Sequence, residues 1–153
     1  MESPPNGQRA MNDKMLAILR GLRENPLKYT RTGSFDETAA LLCGLDRATG
    51  KQALEGFQEW VTIQLKGDYS NTFWAVSSLY VTFPESQGNP AFVPPDEDRA
   101  RNGLLDQVEQ FLSDRKTQGL DALRKKYQAV RNEWDEWYEN EFLADLEEEQ
   151  EDD

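Results

Sequence analysis

Six side chains between Leu120 and Trp137 constrain this chain more than any other feature. Leu120, Leu123, Tyr127, Val130, Trp134 and Trp137 follow one another at separations of 3, 4, 3, 4 and 3 residues. That alternation puts all six on one face of an α-helix and reads as an a/d heptad seam. A strand cannot use it, because strand side chains alternate with a period of two. The last two seam positions fall in RNEWDEWYENEFLADLEEEQEDD, residues 131–153, where the apolar stripe runs into acid.

The acid is confined to that end. From Asn132 onward there are 12 Asp or Glu and no Lys or Arg, in a chain with 29 acids and 17 bases. Residues 1–131 therefore hold 17 of each, and the net charge of −12 belongs wholly to the last 22 residues. The bases Arg115, Lys116, Arg124, Lys125 and Lys126 precede or open the seam helix, and acids crowd its end. Both placements oppose the helix macrodipole, each by about 0.3–1 kcal/mol when exposed. Such a helix end must be held by packing or by a partner, or it is not held.

The remaining pattern is also helical. Met15, Ile18, Leu19 and Leu22 share one face of a first helix, with Asn12 or Asp13 as its cap and Pro26 beyond its end. Ser34 and Glu37 have capping-box spacing before the apolar AALLCGL, which places Cys43 in the core. KQALEGFQEWVTIQL predicts a third helix, with Leu54, Phe57, Trp60, Val61 and Leu65 inward. SNTFWAVSSLYVTFP keeps helical spacing at Phe73, Val76, Tyr80 and Phe83 with Ser70 as a cap. Its β-branched and aromatic content also suits a strand, and helix is the reading adopted. The proline-rich stretch 84–95 is a loop that Phe92 and Val93 can pin to the body, and Asp96, Glu97 and Asp98 open a further helix. Leu104, Leu105, Val108, Phe111 and Leu112 form its inner face.

The expected architecture is an all-α, single-domain bundle of five or six helices with a long C-terminal helix. Its expected parts are a flexible N-terminus over 1–11, a helical domain over 12–146 and a disordered acidic tail over 147–153. No apolar run is long enough for a membrane span, and MESPPNGQRA lacks the apolar region of a secretory signal. The single cysteine excludes an internal disulfide and fits a reducing, cytoplasmic setting.

Much chemistry is missing. There is no histidine, so the common triads, zinc sites and near-neutral bases are excluded, and no cofactor or metal is expected. GLDRATGK lacks the spacing and the Ser or Thr of a phosphate loop. Glu55 with Glu59, or the 96–98 cluster, could form an acid/base or magnesium site. A solvated helix face and a helix cap explain them more simply, so the chain is read as non-enzymatic. Direct nucleic-acid binding is not expected either, since only residues 115–126 offer a basic patch and the acidic end repels phosphate.

Solvation alone explains LEEEQEDD but not EWDEWYENEF, where four large aromatics sit among the acids. Aromatics are enriched at binding hot spots, and acids steer a basic partner. Trp134, Asp135, Glu136, Trp137, Tyr138, Glu139 and Glu141 are the candidate partner-binding residues. The partner class is a basic protein such as a toxin; a nucleic-acid-mimicking regulator, a small enzyme using carboxylates with a divalent metal, and a homodimer through the last helix are the competing readings.

The middle of the chain resembles a family of small, mainly actinobacterial hypothetical proteins. The resemblance rests on Gly56, Phe57, Glu59, Trp60, Leu65, Asn71, Trp74, Phe83 and Pro84, with Tyr29 in an upstream segment that departs from the family's Pro-Gly-Met positions. It covers about half the chain, excludes the acidic end, and implies a bacterial source without an activity. The same motif has a structural reading in which Trp60 and Trp74, on adjacent helices, pack together.

Overall fold

The computed structural model describes residues 6–151. Helices α1 (Asn6–Glu24), α2 (Phe35–Ala48), α3 (Phe57–Gln64), α4 (Trp74–Thr82) and α5 (Glu97–Gln118) form the body. Helices α6 (Leu120–Trp137) and α7 (Leu143–Glu151) are two halves of one long C-terminal helix, joined by a π turn at Tyr138–Phe142. Among the described residues there is no strand, and the fold is a single all-α domain. No helix among them is long and apolar enough to cross a membrane.

Helix α5 is the spine. Ala100, Leu104, Leu105, Val108, Phe111 and Leu112 are buried, and α1, α2, α3 and α4 all pack against it. At the centre Phe57 is fully buried, with its ring 6.0 Å from Trp60, 5.4 Å from Trp74 and 5.3 Å from Phe111. The two tryptophans thus pack through Phe57 and not on each other. Trp60 also donates its indole N–H to Asp114 at 2.9 Å, satisfying its only polar atom.

Several boundaries differ from the sequence reading for local reasons. α1 already runs at Asn6, so Asn12 lies inside it, where it is buried and accepts a 2.9 Å bond from Arg115. α3 begins only at Phe57, because Gly56 adopts φ +95°, a left-handed conformation that breaks the helical run. Ala53 and Leu54 are buried in the turn before it. The segment 71–83 is helical from Trp74, and Ser70 does not cap it. Its strand-like composition reflects burial on more than one side, at Trp74, Ala75, Ser77, Ser78, Leu79 and Tyr80. Phe73, which shares the helical spacing of Val76, Tyr80 and Phe83, is 51% exposed. In the proline loop Phe92 packs on Phe83 at 5.5 Å, whereas Val93 is 79% exposed and pins nothing. Helix α7 continues to Glu151, past the expected boundary at 147; residues 1–5, 152 and 153 lie outside the described residues.

Two caps follow the sequence. Asp96 accepts from the Arg99 amide at 3.1 Å, and Ser34 accepts from the Glu37 amide at 3.1 Å. The Glu37 carboxylate does not return to the Ser34 amide as in a full capping box. It gathers the preceding turn, accepting from the Arg31 and Thr32 amides at 2.8 and 3.0 Å and from the Thr32 and Ser34 hydroxyls. The Thr32 hydroxyl and the Arg31 amide hold its carboxyl below the ordinary value of 4.5. The folded chain therefore binds this proton more weakly than the unfolded chain. Its contribution is complete above pH 4.5 and is lost as pH falls through the lowered folded value. Glu37→Gln should make the acid limb of a Tm-against-pH curve shallower below that point; an acid limb identical to that of the unsubstituted protein would contradict this.

Candidate protein-docking site

Helix α6 is seated at two glycines that flank α3. A Cβ on Gly56 would lie 2.6 Å from Leu120 and 3.0 Å from Leu123; one on Gly67 would lie 3.0 Å from the Val130 side chain and 3.1 Å from its carbonyl oxygen. Early residues of α6 thus meet the start of α3 and later ones meet its end, so the two helices run in the same direction. Arg131 locks the second seat by donating to the Gly67 carbonyl at 2.6 Å. Its guanidinium lies 5.0 Å from the Trp134 ring centroid, and it pairs with Asp135 at 3.4 Å.

Past this seat the body ends and the apolar face does not. Along the seam burial falls from Leu123, which is buried, through the half-buried Tyr127, Val130 and Trp134, to Trp137 at 48% exposure. The helix outruns α3, which explains why Trp137 is not packed like its seam predecessors. Trp134 stacks on Tyr138 at 5.3 Å, and Tyr138 stacks on Phe142 at 5.1 Å, an aromatic ladder up the free part of the helix. Leu143 and Leu146 beyond it are also exposed. Among the described residues α7 packs substantially only on the π turn before it.

The candidate residues Trp134, Asp135, Glu136, Trp137, Tyr138, Glu139 and Glu141 therefore lie along one projecting stretch of helix. Glu133, Asp135, Glu136, Glu139, Glu141, Asp145, Glu147 and Glu148 are all exposed, and after Arg131 there is no base to neutralise them. The sequence reading missed Arg131 as the anchor, and Phe142, Leu143 and Leu146 as continuations of the apolar face. In a regular α-helix these last three would spiral away from Trp134; the π turn was not readable from the sequence.

The basic cluster dissolves on inspection of its members. Arg115 is buried, donating to the carbonyls of Gln52 and Glu55 at 3.2 and 3.1 Å as well as to Asn12. Burial pushes its pKa below the ordinary arginine value, opposed by Glu55 and Asp46. With Lys116 it occupies the last turn of α5, where the macrodipole favours positive charge. Of this cluster Arg124, Lys125 and Lys126 lie on α6, and Arg124 pairs with Glu55 at 3.0 Å.

Of the other carboxylate candidates, Glu59 is half-buried on α3 and the rest have structural partners. Glu55 is taken by Arg124; Asp96 caps α5, Glu97 accepts from the Phe35 amide at 2.8 Å, and Asp98 pairs with Arg101 at 2.9 Å. Cys43, expected in the core, is half-buried beside an open depression of about 420 Å³ between α2, α4 and the 90–92 loop. Burial pushes its thiol pKa up, which disfavours the nucleophilic thiolate. No family model, curated protein or solved structure matches this chain.

Proposed function

We propose that this is a non-enzymatic protein-binding protein: a bacterial immunity, inhibitor or accessory subunit that docks a basic partner through the acidic, aromatic end of its C-terminal helix. One observation carries the reading. The apolar face that α6 applies to α3 continues for several turns after α3 has ended, bordered by exposed acids. A merely solubilising extremity would need the acids but not the aromatics, whose burial against a partner is worth about 1.5–3 kcal/mol for a full side chain. The bacterial source rests on the resemblance of the middle segment.

A second copy is a poorer occupant than a basic protein. Pairing two such ends would bring the Glu133–Glu141 carboxylates of each against those of the other, and the nearest base, Arg131, is already paired with Asp135. A nucleic-acid mimic would share the carboxylates, but its competition with nucleic acid would not depend on the aromatic ladder.

The test is affinity capture from the source organism, comparing the full chain with its Tyr138→Ser, Phe142→Ser, Leu146→Ser variant. The expected result is one basic protein held by the unsubstituted chain, released by raised salt, and lost from the variant. Equal capture by both chains would overturn the proposal.

A further inference from the structure

The π turn sets the register of the docking face, and that register indicates what kind of partner fits it. Its defining bond runs from the Leu143 amide to the Tyr138 carbonyl, one residue longer than the α-helical ladder. Such a turn accommodates one extra residue, so everything after it is rotated back by about 100° relative to an uninterrupted α-helix. Measured around the helix axis from Trp134, an uninterrupted helix would place Tyr138 at about 40°, Phe142 at about 80° and Leu146 at about 120°. The face would wind off sideways within three turns. With one residue absorbed, Leu146 returns to about 20° and Phe142 moves back towards Trp134. The stacked Trp134–Tyr138–Phe142 ladder is the visible consequence.

The result is a straight apolar strip about 18 Å long from Trp134 to Leu146, at 1.5 Å per residue. Acids run along both edges: Glu133 and Asp145 on one side, Asp135 and Glu147 on the other, all exposed. Among the described residues nothing in the body requires this realignment, since the π turn and α7 pack substantially only along their own helix.

We infer that the strip receives a basic amphipathic helix of the partner, whose apolar stripe lies along Trp134, Tyr138, Phe142 and Leu146 and whose flanking Lys and Arg meet the two acidic edges. Charge complementarity selects the basic flanks. A straight ridge of this length matches three to four turns of a facing helix, the arrangement in which ridges and grooves interlock. This inference rests on the docking reading above.

The two can fail separately. The probe is a synthetic amphipathic helical peptide with leucine on one face and lysine on both flanks, titrated against the full chain with tryptophan fluorescence as the readout. Removing Asn140 takes out the extra residue and lets the helix become regular while Phe142 and Leu146 stay in line, so binding should persist within a few-fold. Inserting one alanine after Asn140 rotates both residues off the strip and should weaken binding about tenfold or more. An insertion variant that binds like the unaltered chain would overturn the register inference and leave the docking reading standing. Equal weakening by the deletion would also overturn it, because the bulge itself and not the alignment would then be recognised. If Tyr138→Ser leaves binding unchanged, or a peptide with serine in place of leucine binds equally well, the docking reading itself falls.

Discussion

Phe57→Ala is expected to destabilise the protein by about 3–5 kcal/mol, the usual cost of truncating a fully buried aromatic. The magnitude follows from position. Phe57 has no exposed surface, and its ring pairs with Trp60 on α3, Trp74 on α4 and Phe111 on α5. Removing it leaves a cavity walled by large planar side chains that cannot collapse without losing their own contacts, and aromatic pairing is lost on three sides. Its helix also carries α6, so the loss extends to the seat of that helix. Chemical denaturation followed by far-ultraviolet circular dichroism measures it; a loss below about 1.5 kcal/mol would show that the centre repacks and is not the hub described.

Gly67→Ala acts at the second seat, and about 2–5 kcal/mol is expected. Gly67 has φ +88°, where an L side chain costs about 1–2 kcal/mol. The added methyl would also meet the Val130 side chain at 3.0 Å, the Val130 carbonyl oxygen at 3.1 Å and the Trp134 Cβ at 3.3 Å. Backbone cannot step aside as a flexible side chain can, so overpacking adds about 1–3 kcal/mol. The damage is directional: α6 is pushed off α3 and Arg131 loses its 2.6 Å bond to the Gly67 carbonyl. Amide hydrogen exchange should accelerate in 126–136 while α5 stays protected. Unchanged exchange in 126–136 would mean that Gly67 is not what seats the helix.

These two positions show how much of the molecule the sequence discloses. The helical class, the α5 inner face and the Asp96 cap follow from periodicity and capping chemistry, which are local and need no knowledge of neighbours. Gly56 lay inside a convincing amphipathic run, and helical spacing alone does not reveal a glycine in the left-handed region; only its contact with Leu120 and Leu123 explains it. Arg115 sat among surface bases by composition, yet in the fold it is surrounded by carbonyls from the 52–55 turn. At the C-terminal end, the aromatics and acids were legible because their mixture suits neither core nor tail. Phe142 and Leu146 were not, because a regular 3.6-residue period assigns them to other faces, and a single π turn changes that assignment.

The central claim is that the helix beyond Trp134 belongs to recognition and not to the stability of the fold. The most direct measurement pairs thermal melting with partner capture for the full chain carrying Tyr138→Ser, Phe142→Ser and Leu146→Ser. All three side chains are exposed. The account predicts a Tm equal to that of the unsubstituted protein and loss of the basic partner. A lowered Tm would make these residues part of the core, and an unchanged Tm with undiminished capture would make them surface without a role in binding; either result contradicts the claim.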